Sequence, residues 1–276
     1  MSIYFEKANI WFPPDLVARR SIGPCKPGCN IKINEWFGRL GNNIIQVSTA
    51  IDMALFYKCT ISFPNSPNYK GLFNFDIISD YFNKTVTYKK NEIITDDMNF
   101  FGPLLEDVVV SEENYKIKAD LLKESFTIKD INKLDEDDVA IHIRSGDIFQ
   151  SPSPVEFYAP PPVAYYAKQL NQNQYKKIII VCEDNVNPAV NKLLELYPNA
   201  TWNKNNLEED IRLILGATNV ISSVGTFVIA LLMLSDNIKS HYGKDANNEE
   251  LEEYYKVTQP WLNSDTQRDY ILSYKY

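Results

Sequence analysis

The sequence predicts an α/β protein of parallel, doubly wound sheets, and three observations predict it. Short apolar runs rich in Ile and Val alternate with stretches of helical period from Val139 to Tyr242. Glycine-containing turns follow three of the predicted strands: GRLGNN at 38 to 43, HIRSGD at 142 to 147 and SSVGTF at 222 to 227. Finally, the polar run Lys129 to Asp138 separates a loosely patterned first half from a strongly patterned second half, and so marks a domain boundary in a chain of 276 residues.

Residues 1 to 30 read as an irregular N-terminal extension broken by Pro13, Pro14, Pro24 and Pro27. Ile31 to Phe37 alternates as a strand, GRLGNN makes a turn, Ile44 to Tyr57 repeats at helical spacing, and Cys59 to Pro64 is a strand, together a βαβ opening. From Asn65 to Lys123 the pattern suggests loops and short strands. Val139 to Ile143 is a buried strand, and Pro160, Pro161 and Pro162 impose extended backbone before a helix carrying Tyr165 and Tyr166. Lys176 to Cys182 is a strand. Pro188 to Leu196 is a helix with Pro in its first turn, and a short strand, ATW, follows. Leu207 to Ala217 is an amphipathic helix, NVISS a strand, Thr226 to Leu234 a buried helix and Ile238 to Tyr242 a last strand. The acidic stretch Asn247 to Glu253 reads as a solvated helix face.

Composition narrows the function. A net charge of -8 and a pI near 5.0 argue against a general binder of nucleic acid, which needs an excess of cations to neutralise phosphates. Lysine far outnumbers arginine; the arginines are Arg19, Arg20, Arg39, Arg144, Arg212 and Arg268. Two of them, Arg39 and Arg144, sit inside glycine-containing turns, where a planar fork of donors suits bidentate phosphate recognition better than an ammonium does. The start of the chain lacks a basic segment followed by an apolar one, and no apolar run reaches spanning length, so the cytoplasm is the expected compartment and no membrane span is expected. Cys25, Cys29, Cys59 and Cys182 with His142 and His241 lack the spacing of a zinc site, which leaves free thiols as the expectation, with a Cys25 to Cys29 disulfide open if the protein is secreted.

The turns carry the chemistry. Open α/β sheets bind ligands beyond the carboxyl ends of their strands, where Arg144 stands, so HIRSGD is a candidate anion site. The competing reading is that His142 and Arg144 satisfy buried backbone while Asp147 caps the next segment. SSVGTF offers hydroxyls and backbone N–H groups at a helix start, a second place suited to an anion, although Ser222 and Ser223 would serve equally as caps. Trp36, Tyr158, Tyr165 and Tyr166 lie near the turns as candidate sugar-stacking rings or as core.

GRLGNN, HIRSGD, the strand ending in CEDN, and VISSVGTF stand in the order and approximate spacing of the GDP-fucose-dependent fucosyltransferase superfamily, which covers the α1,2-, α1,6- and protein O-fucosyltransferases. The chain resembles that superfamily from about Ile31 to Tyr242. The resemblance implies a GT-B-type glycosyltransferase, with two Rossmann-like domains facing across a cleft. Residues 1–135 would hold GRLGNN on the acceptor side, and residues 136–276 would bind the donor. It implies an inverting, metal-independent enzyme without a cofactor that moves a sugar, fucose first, from a nucleotide diphosphate to the hydroxyl of a glycan.

Residue by residue, the resemblance assigns Arg144 to the donor's β-phosphate and His142 to the ribose or base. Asp184 would accept from a guanine edge, while Ser222, Ser223, Gly225 and Thr226 would line the pyrophosphate. Arg39 and Asn42 would reach the donor from the first half. Arg144, Asn42 and Asp147 form the implied catalytic set, Asp147 as the residue that orients Arg144, and Glu35 and Glu156 are the other carboxylates near the motifs. No DxD metal motif stands out: Asp137 and Asp138 read as a linker pair, and Glu183 with Asp184 as the base site.

The chain departs from the α1,2 pattern at Asn43, where Gln is usual, at Ser145, where a second Arg is usual, and at Val228 and Ile229, where an aromatic pair is usual. These departures, with the PPPVAYY segment, leave open another donor, such as a UDP-pentose or a different deoxyhexose nucleotide, and a non-catalytic binding protein on the same fold. An oxidoreductase is disfavoured because no G-x-G-x-x-G follows the first strand.

Overall fold

The computed structural model describes residues 26–65, 71–88, 90–97, 99–102, 108–243 and 251–275. Most of the N-terminal extension, Cys25 with any disulfide to Cys29, and the first part of the acidic stretch lie outside the described residues. By its internal contacts the chain divides into two units, Met1–Lys129 and Asp130–Tyr276.

The first unit contains β1 (Asn30–Lys32), α1 (Leu40–Tyr57), β2 (Thr60–Ser62), α2 (Phe75–Thr85), β3 (Ile93–Ile94) and α3 (Glu112–Ser125). Its three strands are parallel in the order β2-β1-β3, with Ile31 opposite both Ile61 and Ile94. α1 begins at Leu40, so LGNN forms the first turn of the helix and is not a preceding loop. The first N–H groups of a helix have no partner within it, so asparagines cost little there. From 65 to 123 the sequence suggests loops and short strands, yet the described part of this span holds two helices. Both present few buried positions, which weakens the apolar period, and their starts are set by caps: Asn74 accepts from Asp76 N and Ser111 from Asn114 N. Lys118 on α3 pairs at 2.7 Å with Asp52 on α1, whose carboxyl is pushed above its usual range by burial against the opposing pull of Lys118.

The second unit contains β4 (Asp138–His142), α4 (Asp147–Gln150), α5 (Val163–Gln172), β5 (Lys177–Val181), α6 (Pro188–Leu196) and β6 (Ala200–Trp202). After these come α7 (Leu207–Gly216), β7 (Asn219–Ser222), α8 (Phe227–Leu232), β8 (Ser240–Tyr242), α9 (Glu252–Thr258) and α10 (Asp265–Ser273). Five parallel strands run in the order β6-β5-β4-β7-β8, a doubly wound sheet. β4 is central and apolar because helices cover both faces of such a sheet. Val139, Ala140 and Ile141 are wholly buried, and each of the two larger side chains contributes about 1.5–3 kcal/mol of transfer free energy. Asp138 opens β4 and is buried beside Lys177, so it is part of the sheet and not of a linker. α7 starts on a capping box in which Asn206 and Glu209 exchange hydrogen bonds with each other's backbone N–H.

The chain after residue 250 adds α9 and α10, of which the sequence predicts only the acidic start of α9, as a helix face. Glu252 and Glu253 are solvated as expected, but Leu251, Tyr254, Trp261 and Ile271 enter the core. The Trp261 indole donates to Ile148 O at 2.7 Å, tying this segment to the chain that follows β4.

Candidate functional site

The site is made by register. His142, the last residue of β4, lies opposite Val181 of β5 and Ser222 of β7. The segments that leave these strands, 143–147, 182–187 and 223–226, therefore emerge side by side. From β4 the chain steps outward to β5 and β6 and then returns to β7 on the other side of β4. Such a reversal opens a crevice past the strand ends, where α/β sheets hold ligands.

Arg144 stands in that crevice. Its Nε and Nη2 donate to Asp147 Oδ1 and Oδ2 at 3.3 and 2.8 Å, a bidentate pair. Tyr158 lies under the guanidinium, with Cζ 4.3 Å from its ring centroid. Nη1 lies against Gly225, where an added Cβ would fall 2.6 Å from it. Gly225 also has φ of 103°, a backbone an L side chain rarely adopts, so the close approach of this turn to Arg144 depends on glycine. The main chain is fixed as well: Arg144 N donates to Ser223 Oγ at 2.8 Å, and Asn187 Nδ2 donates to Arg144 O at 3.0 Å. The guanidinium is thus held along one edge and one face, with the Nη1 edge turned to the Gly225 turn.

Ser145 is wholly buried, and its hydroxyl donates to Asp184 Oδ1 while accepting from Asn187 N at 3.0 Å. Asp184 also accepts from Val186 N at 3.0 Å and from Gln150 Nε2 at 2.8 Å. A carboxylate offers about four acceptor directions, and these bonds occupy most of those of Asp184. The fold therefore employs Asp184 to clamp the Arg144 turn onto the loop after β5. Gly146, at φ 50°, has no room for a Cβ because the Glu183 carboxylate lies against it.

In the third turn, Ser222 and Ser223 are both buried and point their hydroxyls inward, Ser222 to His241 Nε2 at 2.8 Å and Ser223 to Arg144 N. What this turn presents outward is the half-buried pair Gly225 and Thr226. α8 has six residues, shorter than the run Thr226 to Leu234 suggested, and Thr226 stands at its N-cap position without a side-chain cap bond. His142 is half-buried with its ring 5.3 Å from that of Phe227. Burial lowers the pKa of His241 to about 4, so this ring is neutral near pH 7. Burial likewise raises Asp210, on α7, to about 6.

The first unit has its own strand-order reversal, between β1 and β3, and a polar network fills it. Asn99, after β3, accepts through its side chain from Asn34 N and Glu35 N at 3.1 and 3.3 Å. The buried Gln46 side chain accepts from Phe37 N at 2.9 Å and donates to Glu35 O and Asn99 O at 3.1 and 2.8 Å. Asn43 Nδ2 donates to Phe37 O at 3.1 Å, which gives this departure from the α1,2 pattern a structural task. Arg39 is exposed and Asn42 half-buried at the start of α1.

The aromatic candidates divide. Tyr165 and Tyr166 are core residues, Trp36 is half-buried and stacked on Phe75 at 4.8 Å, and Tyr158 alone of these four touches Arg144. Sequence reasoning missed Gln150, Asn187 and the Gln46 network. Asn187 carried a signal, an Asn before Pro188 at a helix start, whereas Gln150 and Gln46 carried none. Cys29, Cys59 and Cys182 are buried free thiols, and burial pushes Cys182 up to about 12. Among the described residues no group of three His, Cys, Asp or Glu could hold a metal ion, and no helix is long and apolar enough to cross a membrane.

Fold and site together define a chain of two parallel α/β units, the second a doubly wound sheet with a clamped arginine at its switch point. No family model matches the chain, and neither does any curated protein. Solved structures similar to it include POFUT1 in complex with GDP-fucose, at 10% identity and a TM-score of 0.42 over 80% of this chain and 99% of that one. NodZ alpha-1,6-fucosyltransferase soaked with GDP-fucose is similar at 11% identity and 0.36, over 75% and 93%. The E. coli heptosyltransferase WaaC with ADP is similar at 10% and 0.35, over 83% and 97%.

Proposed function

We propose that this protein is an inverting glycosyltransferase that moves a sugar, fucose first, from a GDP-sugar to a glycan hydroxyl without a metal ion. The observation that carries the reading is Arg144 at the switch point of the second sheet, held by Asp147 and Tyr158 and turned toward Gly225. A diphosphate placed beside Nη1 at the Gly225 turn meets a cation that needs no reorganisation. As the glycosidic bond breaks, negative charge grows on the leaving phosphate, and the preorganised guanidinium stabilises it more in the transition state than in the ground state.

In this reading Asp147 orients Arg144, His142 faces the ribose or base, and Gly225 and Thr226 line the diphosphate through backbone and hydroxyl. Ser222 and Ser223 support that turn from beneath. Residues 136–276 form the donor unit, and Arg39 and Asn42 belong to the acceptor unit, residues 1–135. The acceptor is an oligosaccharide or other glycan, and the protein works in the cytoplasm. Asp184 retains a role toward the base only through what its internal bonds leave.

A thermal-shift panel of GDP, UDP, GDP-fucose and a UDP-pentose on the full chain tests the donor. GDP and GDP-fucose should raise the melting temperature in wild type and fail to do so in Arg144→Ala, because a ligand that binds only the folded state stabilises it by mass action. A larger shift with UDP than with GDP would overturn the donor assignment. GDP-fucose turnover surviving in Arg144→Ala would overturn the mechanism.

A further inference from the structure

The PPPVAYY segment builds a support beneath the third turn. Pro160, Pro161 and Pro162 are buried, and their fixed φ sets the direction in which α5 leaves. Tyr254, wholly buried on α9, donates its hydroxyl to Pro160 O at 2.5 Å, and Tyr165 N closes the first turn of α5 on Pro162 O at 3.0 Å. From this base the buried Tyr165 side chain reaches two carbonyls at the carboxyl ends of neighbouring strands. Its hydroxyl lies 3.0 Å from Ser222 O of β7 and 3.2 Å from Tyr242 O of β8, one O–H shared between two acceptors.

Ser222 O belongs to the peptide that launches the turn at the crevice. The N–H of the same peptide, Ser223 N, donates to His142 O at 3.0 Å, and Ser223 Oγ accepts from Arg144 N at 2.8 Å. The peptide plane is thus held at both polar ends, the carbonyl by Tyr165 and the amide by β4, before the chain enters Val224 and the left-handed Gly225. A peptide free to rotate there would carry Gly225 and Thr226 away from Arg144. We infer that Tyr165 is a positioning residue for the diphosphate: by fixing the Ser222–Ser223 peptide it sets the Gly225 turn against the Arg144 guanidinium before any ligand arrives. The inference deepens the donor reading and rests on it. Ordering the turn in advance removes a cost that a bound diphosphate would otherwise meet, so the tyrosine acts on affinity and rate without touching the ligand.

Titration calorimetry and amide hydrogen exchange on the full chain test this. Tyr165→Phe keeps the ring and removes the donor, so the Kd for GDP should rise about tenfold, the scale of one buried hydrogen bond. Thr258→Val deletes another wholly buried hydroxyl donor, bonded to Tyr254 O at 2.9 Å and remote in sequence from the three turns, and should leave the Kd for GDP within about twofold. Equal losses in the two variants, or wild-type affinity in Tyr165→Phe, would overturn the role. In hydrogen exchange the Ser223 amide should be protected in wild type without ligand and should exchange at least about tenfold faster in Tyr165→Phe. An unprotected Ser223 amide in wild type would also overturn it, whether or not the variant folds. A wild type that takes up no GDP yet shows Tyr165-dependent protection of Ser223 sinks the donor reading and leaves the support of the turn.

Discussion

Gly225 lies so close to Arg144 that a Cβ on it would fall 2.6 Å from Nη1 of the guanidinium. The contact joins the turn after β7 to the turn after β4, the two segments that flank the switch point of the sheet.

Gly225→Ala should therefore be a site mutation more than a folding mutation. The displaced atom is the end of a flexible side chain, so the guanidinium shifts while the core stays, and the positive φ adds about 1–3 kcal/mol of strain. Turnover of GDP-fucose should fall about a hundredfold, the scale of one misplaced electrostatic donor. Steady-state kinetics beside a urea melt checks this, and a variant with normal turnover would refute the placement of the diphosphate.

Asp147→Asn should separate orientation from stability. The Arg144 pair is partly solvated, with the Asp147 side chain 46% exposed, so the unfolding free energy should change by less than about 1 kcal/mol. Activity should drop at least about tenfold because the amide cannot pair with Nε and Nη2 as a charged fork does. Loss of stability without loss of rate would contradict the role given to Asp147.

Position 145 should tolerate little. Ser145→Ala leaves Asn187 N without its partner and removes one of the two bonds at Asp184 Oδ1, and should cost about 1–3 kcal/mol in a denaturant titration. Ser145→Arg, the residue usual in the α1,2 pattern, would force a long cation into a wholly buried position and should cost more. An equally stable arginine variant would show that the buried clamp is misread.

His241 should give the protein a pH-dependent weakness. Its folded pKa of about 4 lies below its unfolded value near 6.5, so the unfolded chain binds the extra proton first. Its contribution to stability is full above about pH 6.5 and is lost as pH falls to about 4, a total on the order of 3 kcal/mol. Asp210 acts in the opposite sense. Its pKa is raised to about 6 from 3.8, so its protonated form favours the fold at low pH and that gain is lost as pH rises through 6. The two partly cancel between about pH 4 and 6, and the His241 share is read as the difference between wild type and His241→Asn in melts across that range. Parallel curves for the two proteins would count against it.

Much of the second unit was legible. The strands of Val139 to Ile143 and Lys176 to Cys182 show as apolar runs because both faces of a central parallel strand are covered, and Pro188 and the acids of α7 mark helix starts. α2 and α3 were illegible by period because few of their positions are buried, and only Asn74 and Ser111 signalled them. α10 and the buried side of α9 were hidden because Tyr254 and Trp261 find their core in partners about a hundred residues away, at Pro160 and Ile148.

The sequence by itself determined that Arg144 follows a buried strand, that glycines stand at the turns, and that three such turns follow apolar runs. Those properties are local, since they depend on residue type and on neighbours within a few positions. Only the tertiary structure decided which hydroxyls face in and which residues meet. Register placed Ser222 opposite His142, and so turned Ser222 to His241 and Ser223 to Arg144 N. Tertiary packing also drew Asp184 into a clamp with Ser145 and Gln150, and set Tyr158 under the guanidinium. A hydrogen bond between residues 79 apart, as between Arg144 and Ser223, has no trace in the spacing of either motif, because the sheet between them sets it.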